Sequence, residues 1–210
     1  ARAVPGVTNS EGGSAGHSRT RFALATSHGF TGGYGSSAHS LSASVIAGEG
    51  SDMQRDYGWH SARHAADLES PEDIGARAGA RAVARLNPGK APAGKLPIVF
   101  DPRVGGGLIG HLVGAISGPA IARRTSFLLD RLDQPLFDPA IIIRDEPHRR
   151  RGLRSRAFDG EGLPTAARDI VANGLVTGWL LDSASARQLG LSPTGHASRG
   201  GGAAGVAVSN

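Results

Sequence analysis

The chain has 210 residues, a formal net charge of +5 and a hydrophobic content of 39%. This length is enough for one large domain or parts of two, with a hydrophobic core. The absence of cysteine excludes disulfides and thiolate metal sites, and no apolar run is long enough to cross a bilayer, so we expect a cytoplasmic protein without a membrane partner.

The first part of the chain carries patterns that predict strands. Residues 1–18 are rich in Gly and Ser and predict a loop. Beyond them, apolar and polar residues alternate in three segments, at 19–26, 40–47 and 53–61. Ser27-His28-Gly29 is typical of a hairpin turn, whereas residues 30–35 contain too much glycine for an assignment. The short connections favour an antiparallel sheet.

A helix is predicted after these strands. Ser70 can cap it, Pro71 suits its first turn, and the acidic residues that follow complement the helix dipole. The helix should run to about Leu86, because Asn87-Pro88-Gly89 stops it. The next segment is typical of a linker. We therefore divide the chain into residues 1–88, a linker at 89–95 and residues 96–210.

The stretch from Leu96 to Asp130 predicts a short buried strand, a glycine-rich turn and a helix. Gly105, Gly107 and Gly110 fit the G-x-G-x-x-G spacing of dinucleotide sites, and Asp130 lies where such sites place an acidic residue. However, four residues separate the strand from the glycines, and the chain lacks repeated βαβ units. A dinucleotide enzyme is therefore only one hypothesis for this stretch.

A structural explanation of the same glycines is helix packing. Gly110, Gly114 and Gly118 recur every four residues, so they share one helix face and would let another backbone approach closely. An apolar stripe through Leu112 lies beside them. Gly118-Pro119 should kink or end the helix.

The remaining residues predict short strands and one more helix. We expect a strand at 140–143, a polar loop at 144–162 and a glycine-rich loop at 194–205. The hairpin signal at 170–181 is stronger, because two apolar arms flank Asn173-Gly174, a favoured turn pair. Asp182-Ser183 can cap a helix that ends at Leu189. Hairpin strands with a few packed helices predict an α+β fold.

Isolated histidines offer weak metal-site signals. His111 lies on the central helix without a second His one turn away. His60 and His64 have the spacing of a metal pair on a helix, but their surroundings predict a strand that runs into a loop. The carboxylates in motif-like surroundings do not pair as acid and base; they are Glu11, Asp145, Glu146, Asp159 and Glu161.

A basic loop spans Arg144–Arg156 and contains six arginines. Its cluster Arg149, Arg150 and Arg151 could contact phosphate or an acidic partner. Acidic residues on both sides can pair with the cluster, and Phe158 is the one aromatic residue near it, so base stacking is poorly supported. We expect a structural loop or a protein contact here, and keep an anion or nucleic-acid binding module as the alternative function.

Seven longer stretches, taken together, resemble the TldD/PmbA family, whose members are also called modulators of DNA gyrase, and most closely its PmbA (TldE) branch. They follow the family order along the chain: TNSEGGSAGHSRTRFALATSHGF at 8–30, SVIAGEGSDMQRDY at 44–57, SARHAADLESPEDIG at 61–75, FDPRVGGGLIGHLVGAI at 100–116, RRTSFLLDRLDQPLF at 123–137, PHRRRGLRSRAFDGEG at 147–162 and LLDSASARQLGLSPTGHASRG at 180–200.

The resemblance implies a two-domain α+β protein more than twice this length. Residues 1–88 would then be the later part of its N-terminal domain, and residues 96–210 the beginning of a β-rich C-terminal domain. TldD-like members are zinc peptidases that act on unfolded or small peptides through a His-Glu-x-x-x-His helix and a distant Cys ligand. The PmbA-like member pairs with TldD as a heterodimer and lacks that motif.

Carried onto this chain, the motif falls on Gly110, His111 and Ala115. Gly and Ala cannot ligate a metal, and a neutral His cannot replace the carboxylate that activates a zinc-bound water. The resemblance therefore implies a chain that is inactive alone, has no catalytic residue or cofactor of its own, and pairs with a zinc-bearing TldD-like subunit that processes peptides.

Overall fold

The computed structural model describes residues 1–199 and 205–210. The chain forms two compact units. The first unit contains Ala1–Arg21 and Gly35–Leu96, and the second contains Phe22–Tyr34 and Pro97–Asn210. The division at residues 88 and 96 stays a prediction of where the family's domains meet.

The first sheet has three strands in the order β1-β2-β3. They are β1 (Val7–Ala25), β2 (Thr31–Ala47) and β3 (Gln54–Ala62), and β2 pairs with β3 antiparallel. The predicted loop at 1–18 is therefore wrong from Val7 onward, and β2 includes most of the unassigned residues 30–35. Gly and Ser have low strand propensity, but pairing with a neighbouring strand decides the conformation.

Helix α1 (Pro71–Ala84) confirms the predicted capped helix. Ser70 Oγ accepts a hydrogen bond from the Asp73 amide at 3.0 Å. The helix packs on β3, and the two elements approach closely at Gly58, where an added Cβ would lie 2.5 Å from the Ile74 carbonyl oxygen. A small cluster of buried residues in this unit consists of Val45, Ala47, Ala78 and Ala82.

The predicted strand at 96–100 is wrong. This segment is irregular and largely exposed, with Val99 at 96% exposure. An apolar run alone does not make a strand, because a strand needs a pairing neighbour. Helix α2 (Pro102–Ala115) begins directly afterwards, and Asp101 Oδ1 caps it by accepting from the Arg103 amide at 2.9 Å.

Helix α2 ends before Gly118-Pro119, as predicted, and a short helix α3 (Gly118–Ala122) follows. The predicted strand at 140–143 is displaced, because β4 covers Ile143–Asp145 and Ile142 remains 63% exposed. The position of this strand is set by its antiparallel pairing with β5 (Arg168–Ala172).

The predicted hairpin is confirmed. Strands β5 and β6 (Leu175–Val176) pair antiparallel. Asn173 and Gly174 between them have φ values of 50° and 76°, as a primed two-residue turn requires. Gly174 also faces a neighbouring segment closely, since an added Cβ would lie 2.3 Å from the Phe137 carbonyl oxygen.

Helix α4 (Ser183–Leu189) begins at the predicted Asp182 cap, which accepts from the Ser185 amide at 2.8 Å. Two short strands, β7 (Ala197–Ser198) and β8 (Gly205–Val206), pair antiparallel, so the predicted loop at 194–205 is wrong at those positions. The rest of that loop includes residues 200–204, which lie outside the described residues.

Antiparallel sheets with a few packed helices confirm the predicted α+β class. The larger core lies in the second unit, where α2, α3 and α4 cover strand residues such as Ile170 and Val171. Within the part of the chain that the structure describes, no helix has the length and apolar character needed to cross a membrane.

Candidate functional site

The three positions of the carried-over zinc motif lie on α2 in different environments. Gly110 and His111 are exposed, whereas Ala115 is the last helical residue and is 8% exposed. Residues five apart on a regular α-helix are separated by about 140° around its axis. The family's zinc motif has this same spacing, so only the residue types argue against a zinc ion here, since Gly110 and Ala115 have no ligating side chain.

The glycines of α2 form an open helix face rather than a phosphate loop. Gly105 lies inside the helix, and its amide already donates to the Asp101 carbonyl at 3.0 Å. A Cβ added at Gly110 or Gly114 would meet nothing within 4 Å. The predicted close approach of another backbone at these two glycines is therefore wrong within this chain. Because the glycines lie within a helix, they do not form the phosphate-binding loop that the dinucleotide hypothesis requires.

The close approach occurs instead at Gly118, at the start of α3. A Cβ there would lie 2.2 Å from Ser185 Oγ and 2.7 Å from Leu181 Cδ2. Glycine at this position lets α3 pack against α4. The packing function that the sequence predicted is thus real at one of the three glycines.

The two histidines with metal-pair spacing are separated by structure. His60 lies on β3, and its Nδ1 accepts a hydrogen bond from the Glu69 amide at 3.1 Å. His64 is exposed in the connection after the strand. The pair is therefore not a helical metal site.

The basic loop is held in shape by the side chain of Asn210. Asn210 Nδ2 donates to the Glu146 carbonyl at 3.0 Å and to Ser155 Oγ at 2.9 Å. Ser155 Oγ in turn donates to the Arg149 carbonyl at 2.6 Å. Arg149 and Arg150 are exposed, so their contact with an anion or a partner stays a prediction.

A buried polar network that the sequence did not reveal lies beside this loop. Asp145 Oδ2 is 3.2 Å from His196 Nε2, and Asp145 Oδ1 accepts from the amides of Ser209 at 2.8 Å and Asn210 at 3.1 Å. His196 Nδ1 lies 2.9 Å from Thr194 Oγ1. The contacts of Asp145 join residues 51 or more positions apart, so no local pattern could have predicted them.

The geometry of the network indicates a structural role. Burial pushes the pKa of Asp145 upward, but the hydrogen bonds from His196 and Ser209 outweigh it, so the pKa lies below its ordinary value. Ser209 Oγ donates to Asp145 rather than to His196, and all three residues are about 2% exposed. A serine nucleophile would need the histidine as its base and access to substrate. The cluster therefore holds residues 209 and 210 against β4.

Two other carboxylates of the sequence analysis, Asp159 and Glu11, are also structural. Asp159 is buried and accepts hydrogen bonds from the amides of Glu161 at 2.9 Å, Leu163 at 3.0 Å and Ala197 at 3.0 Å. In the first unit, hydrogen bonds from Ser44 and then Arg55 hold the pKa of Glu11 below its usual range.

Residues 1–199 and 205–210 contain no group of three or more His, Asp or Glu side chains placed to hold a metal ion. The described residues present exposed positions on α2 and along strand β1.

Comparison with known proteins accounts for nearly the whole chain. A family model described as the PmbA/TldA metallopeptidase C-terminal domain matches residues 93–210, and one described as the central domain matches residues 1–86. The chain is 46% identical over 191 residues to Metalloprotease PmbA of Escherichia coli O157:H7, covering 91% of this chain and 42% of that protein. A PmbA homolog of Haemophilus influenzae is 40% identical, with 81% and 38% covered.

Solved structures show the same relationship. A Bacteroides thetaiotaomicron protein described as a candidate modulator of DNA gyrase has a TM-score of 0.81 and 31% identity, covering 87% of this chain and 42% of that one. TldE from Thermococcus kodakarensis, at 23% identity and a TM-score of 0.75, shows the likeness of fold, with 93% and 44% covered. The chain thus spans less than half the length of the relatives it matches.

Proposed function

Because the chain belongs to the PmbA/TldD metallopeptidase family, we propose that it is part of a non-catalytic, PmbA/TldE-like subunit of a zinc-dependent peptidase complex. In this proposal a TldD-like partner holds the zinc and cleaves unfolded or small peptides, and this chain completes the peptide-binding groove. The proposed compartment is the cytoplasm.

The observation that carries the proposal is the chemistry of α2. The positions onto which the zinc motif carries over are Gly110, His111 and Ala115. The first and last have no donor atom in their side chains, and Ala115 turns toward the core while Gly110 is exposed. A subunit with this helix depends on another chain for a metal-bound nucleophile.

A strand edge supports the peptide-binding part of the proposal. Strand β1 stands at one side of its sheet, next to β2 alone, and its residues from Glu11 to Arg21 are exposed. An extended peptide can add to such an edge through main-chain hydrogen bonds, while its side chains alternate between the two faces. This mode suits substrates of varied sequence.

The experiment is co-purification with metal analysis. We expect the affinity-tagged protein expressed alone to carry less than stoichiometric zinc and to lack peptidase activity. From its native host it should co-purify with a protein that contains a His-Glu-x-x-x-His motif, and the complex should hold zinc and cleave peptides. Stoichiometric zinc together with peptidase activity in the lone chain would overturn the proposal.

A further inference from the structure

A cavity of about 590 Å³ lies within the second unit. Residues at the tip of the first hairpin form one wall, and the turn that follows Asp159 and the start of α4 form the other. Its volume falls within the range typical of pockets for small ligands. None of the functions argued above uses it.

The charged groups in the cavity favour an anion. Arg187 on α4 and Arg199 after β7 both line it, and Glu161 is the one carboxylate among its described lining residues. Glu161 Oε2 accepts from the Ser183 amide at 2.9 Å, and its Oε1 is 3.9 Å from an Arg199 Nη. Because Arg199 is 62% exposed, this long ion pair is weak. Its guanidinium can therefore turn to a ligand.

The uncharged lining is mixed: beside the polar residues Thr26, Ser27, His28 and Ser183, it contains two leucines. Leu24 from the hairpin and Leu163 from the facing turn line the cavity and are half-buried. A ligand that suits both the arginines and the two leucines carries an anionic group next to an apolar one. The C-terminal residue of a peptide has this chemistry when its side chain is apolar, and an arginine can bind its carboxylate in a bidentate geometry.

We infer that this cavity binds the free C-terminus of short peptides. Arg187 and Arg199 hold the terminal carboxylate, and the last side chain packs against Leu24 and Leu163. The inference rests on the proposed role in peptide handling and names the end of the peptide that this chain recognises. In this site Glu161 limits the affinity for the peptide, because the negative charge of Glu161 repels the bound carboxylate.

The test uses the purified full chain and a fluorescein-labelled Gly-Gly-Leu tripeptide, compared with the same peptide ended by an amide. By fluorescence anisotropy we expect the acid to bind at least about tenfold more tightly than the amide. Arg199→Gln and Arg187→Gln should each weaken binding of the acid by about tenfold and leave the amide unchanged. Glu161→Gln, which keeps an oxygen acceptor for Ser183, should strengthen binding of the acid several-fold.

The matched control is Arg150→Gln, which removes the same charge from the exposed basic loop and should change nothing. Thermal melts verify that every variant is folded. Equal binding of acid and amide, no binding up to about 1 mM peptide, or equal losses from Arg150→Gln and Arg199→Gln would each overturn the inference. Inorganic phosphate as a competitor separates a general anion site, which it would block at low concentration, from a carboxylate site. The assay needs neither zinc nor a partner, so its failure is distinct from a failure to co-purify.

Discussion

Asp145 Oδ2 and His196 Nε2 lie 3.2 Å apart, and both side chains are about 2% exposed. Their contact joins β4 to the segment before β7, and the other oxygen of Asp145 accepts hydrogen bonds from the amides of Ser209 and Asn210. One carboxylate thus satisfies donors from two distant parts of the second unit.

We predict that Asp145→Asn destabilises the second unit by about 2–4 kcal/mol, because it removes the charge that pairs with His196 and turns an acceptor into a donor. Urea unfolding followed by tryptophan fluorescence measures the change. Asp130→Asn, on an exposed residue, is the control and should stay within about 0.5 kcal/mol of the parent. Equal midpoints for the two variants would contradict the role of the network.

The same carboxylate predicts the acid sensitivity of the fold. The pKa of Asp145 is lowered in the folded chain from an ordinary value of 3.8. Its stabilisation is therefore fully present above that value and is lost as the pH falls through the lower folded pKa, because the unfolded chain binds the proton first. Unfolding measured between about pH 2 and pH 5 should show a loss toward acid that is smaller in Asp145→Asn. Identical slopes would show that Asp145 does not contribute.

The contact between β3 and α1 predicts a strict requirement at Gly58. Its added Cβ would meet the Ile74 carbonyl oxygen at 2.5 Å, so Gly58→Ala should destabilise the first unit by about 1–3 kcal/mol. Gly35→Ala, at a strand glycine whose Cβ would lie 3.8 Å from its nearest neighbour, should be neutral or slightly stabilising. Circular dichroism during thermal unfolding measures both. A neutral Gly58→Ala would mean that the helix can shift away.

Opposite effects are predicted for two helical glycines. Gly106→Ala adds a Cβ in open space within α2 and should stabilise the chain by up to about 1 kcal/mol, since Ala is the better helix former. Gly118→Ala should destabilise it, because the new Cβ would lie 2.2 Å from Ser185 Oγ. Denaturant midpoints measure both variants. Destabilisation by Gly106→Ala would indicate that its glycine serves a loop-like conformation or a bound partner.

Grafting the peptidase motif onto α2 should not create a zinc site. In the triple variant Gly110→His, His111→Glu and Ala115→His, the histidine at 115 would replace a buried side chain, 8% exposed, whereas the histidine at 110 would be exposed. Residues 1–210 also contain no cysteine to complete the ligand set. We expect less than stoichiometric zinc by atomic emission after dialysis, as for the parent chain. One tightly held zinc per chain would contradict this and would show that both histidines can reach the same ion.

Local signals in the sequence predicted local structure well. The Ser70 cap and the Asn173-Gly174 turn are encoded within a few residues, and both are present. The length of β1 could not be predicted in this way, because its Gly- and Ser-rich part owes its extended form to pairing with β2. Residues 96–100 show the reverse error, where an apolar run has no strand to pair with.

The candidate sites were likewise predictable from local residue types but not where they depend on contacts between distant segments. The residue types at Gly110 and Ala115 were sufficient to argue against a zinc ligand, whereas the direction of each position required the helix itself. Arg187 and Arg199 carried no motif, and only folding brings them to a cavity with Glu161. The network around Asp145 joins it to Ser209, which lies 64 positions further along the chain. Its members therefore show no common pattern in the sequence.

The first hairpin sets a limit on how the chain can be divided. Its tip supplies Phe30 and Tyr34, whose rings meet the ring of Phe158 edge-on at centroid distances of 4.9 and 5.4 Å. A fragment that starts at residue 93, where the C-terminal family model begins, would keep Phe158 but lose both partners. The boundary of the family model therefore separates Phe158 from its aromatic partners. A folded fragment of the second unit must include the hairpin.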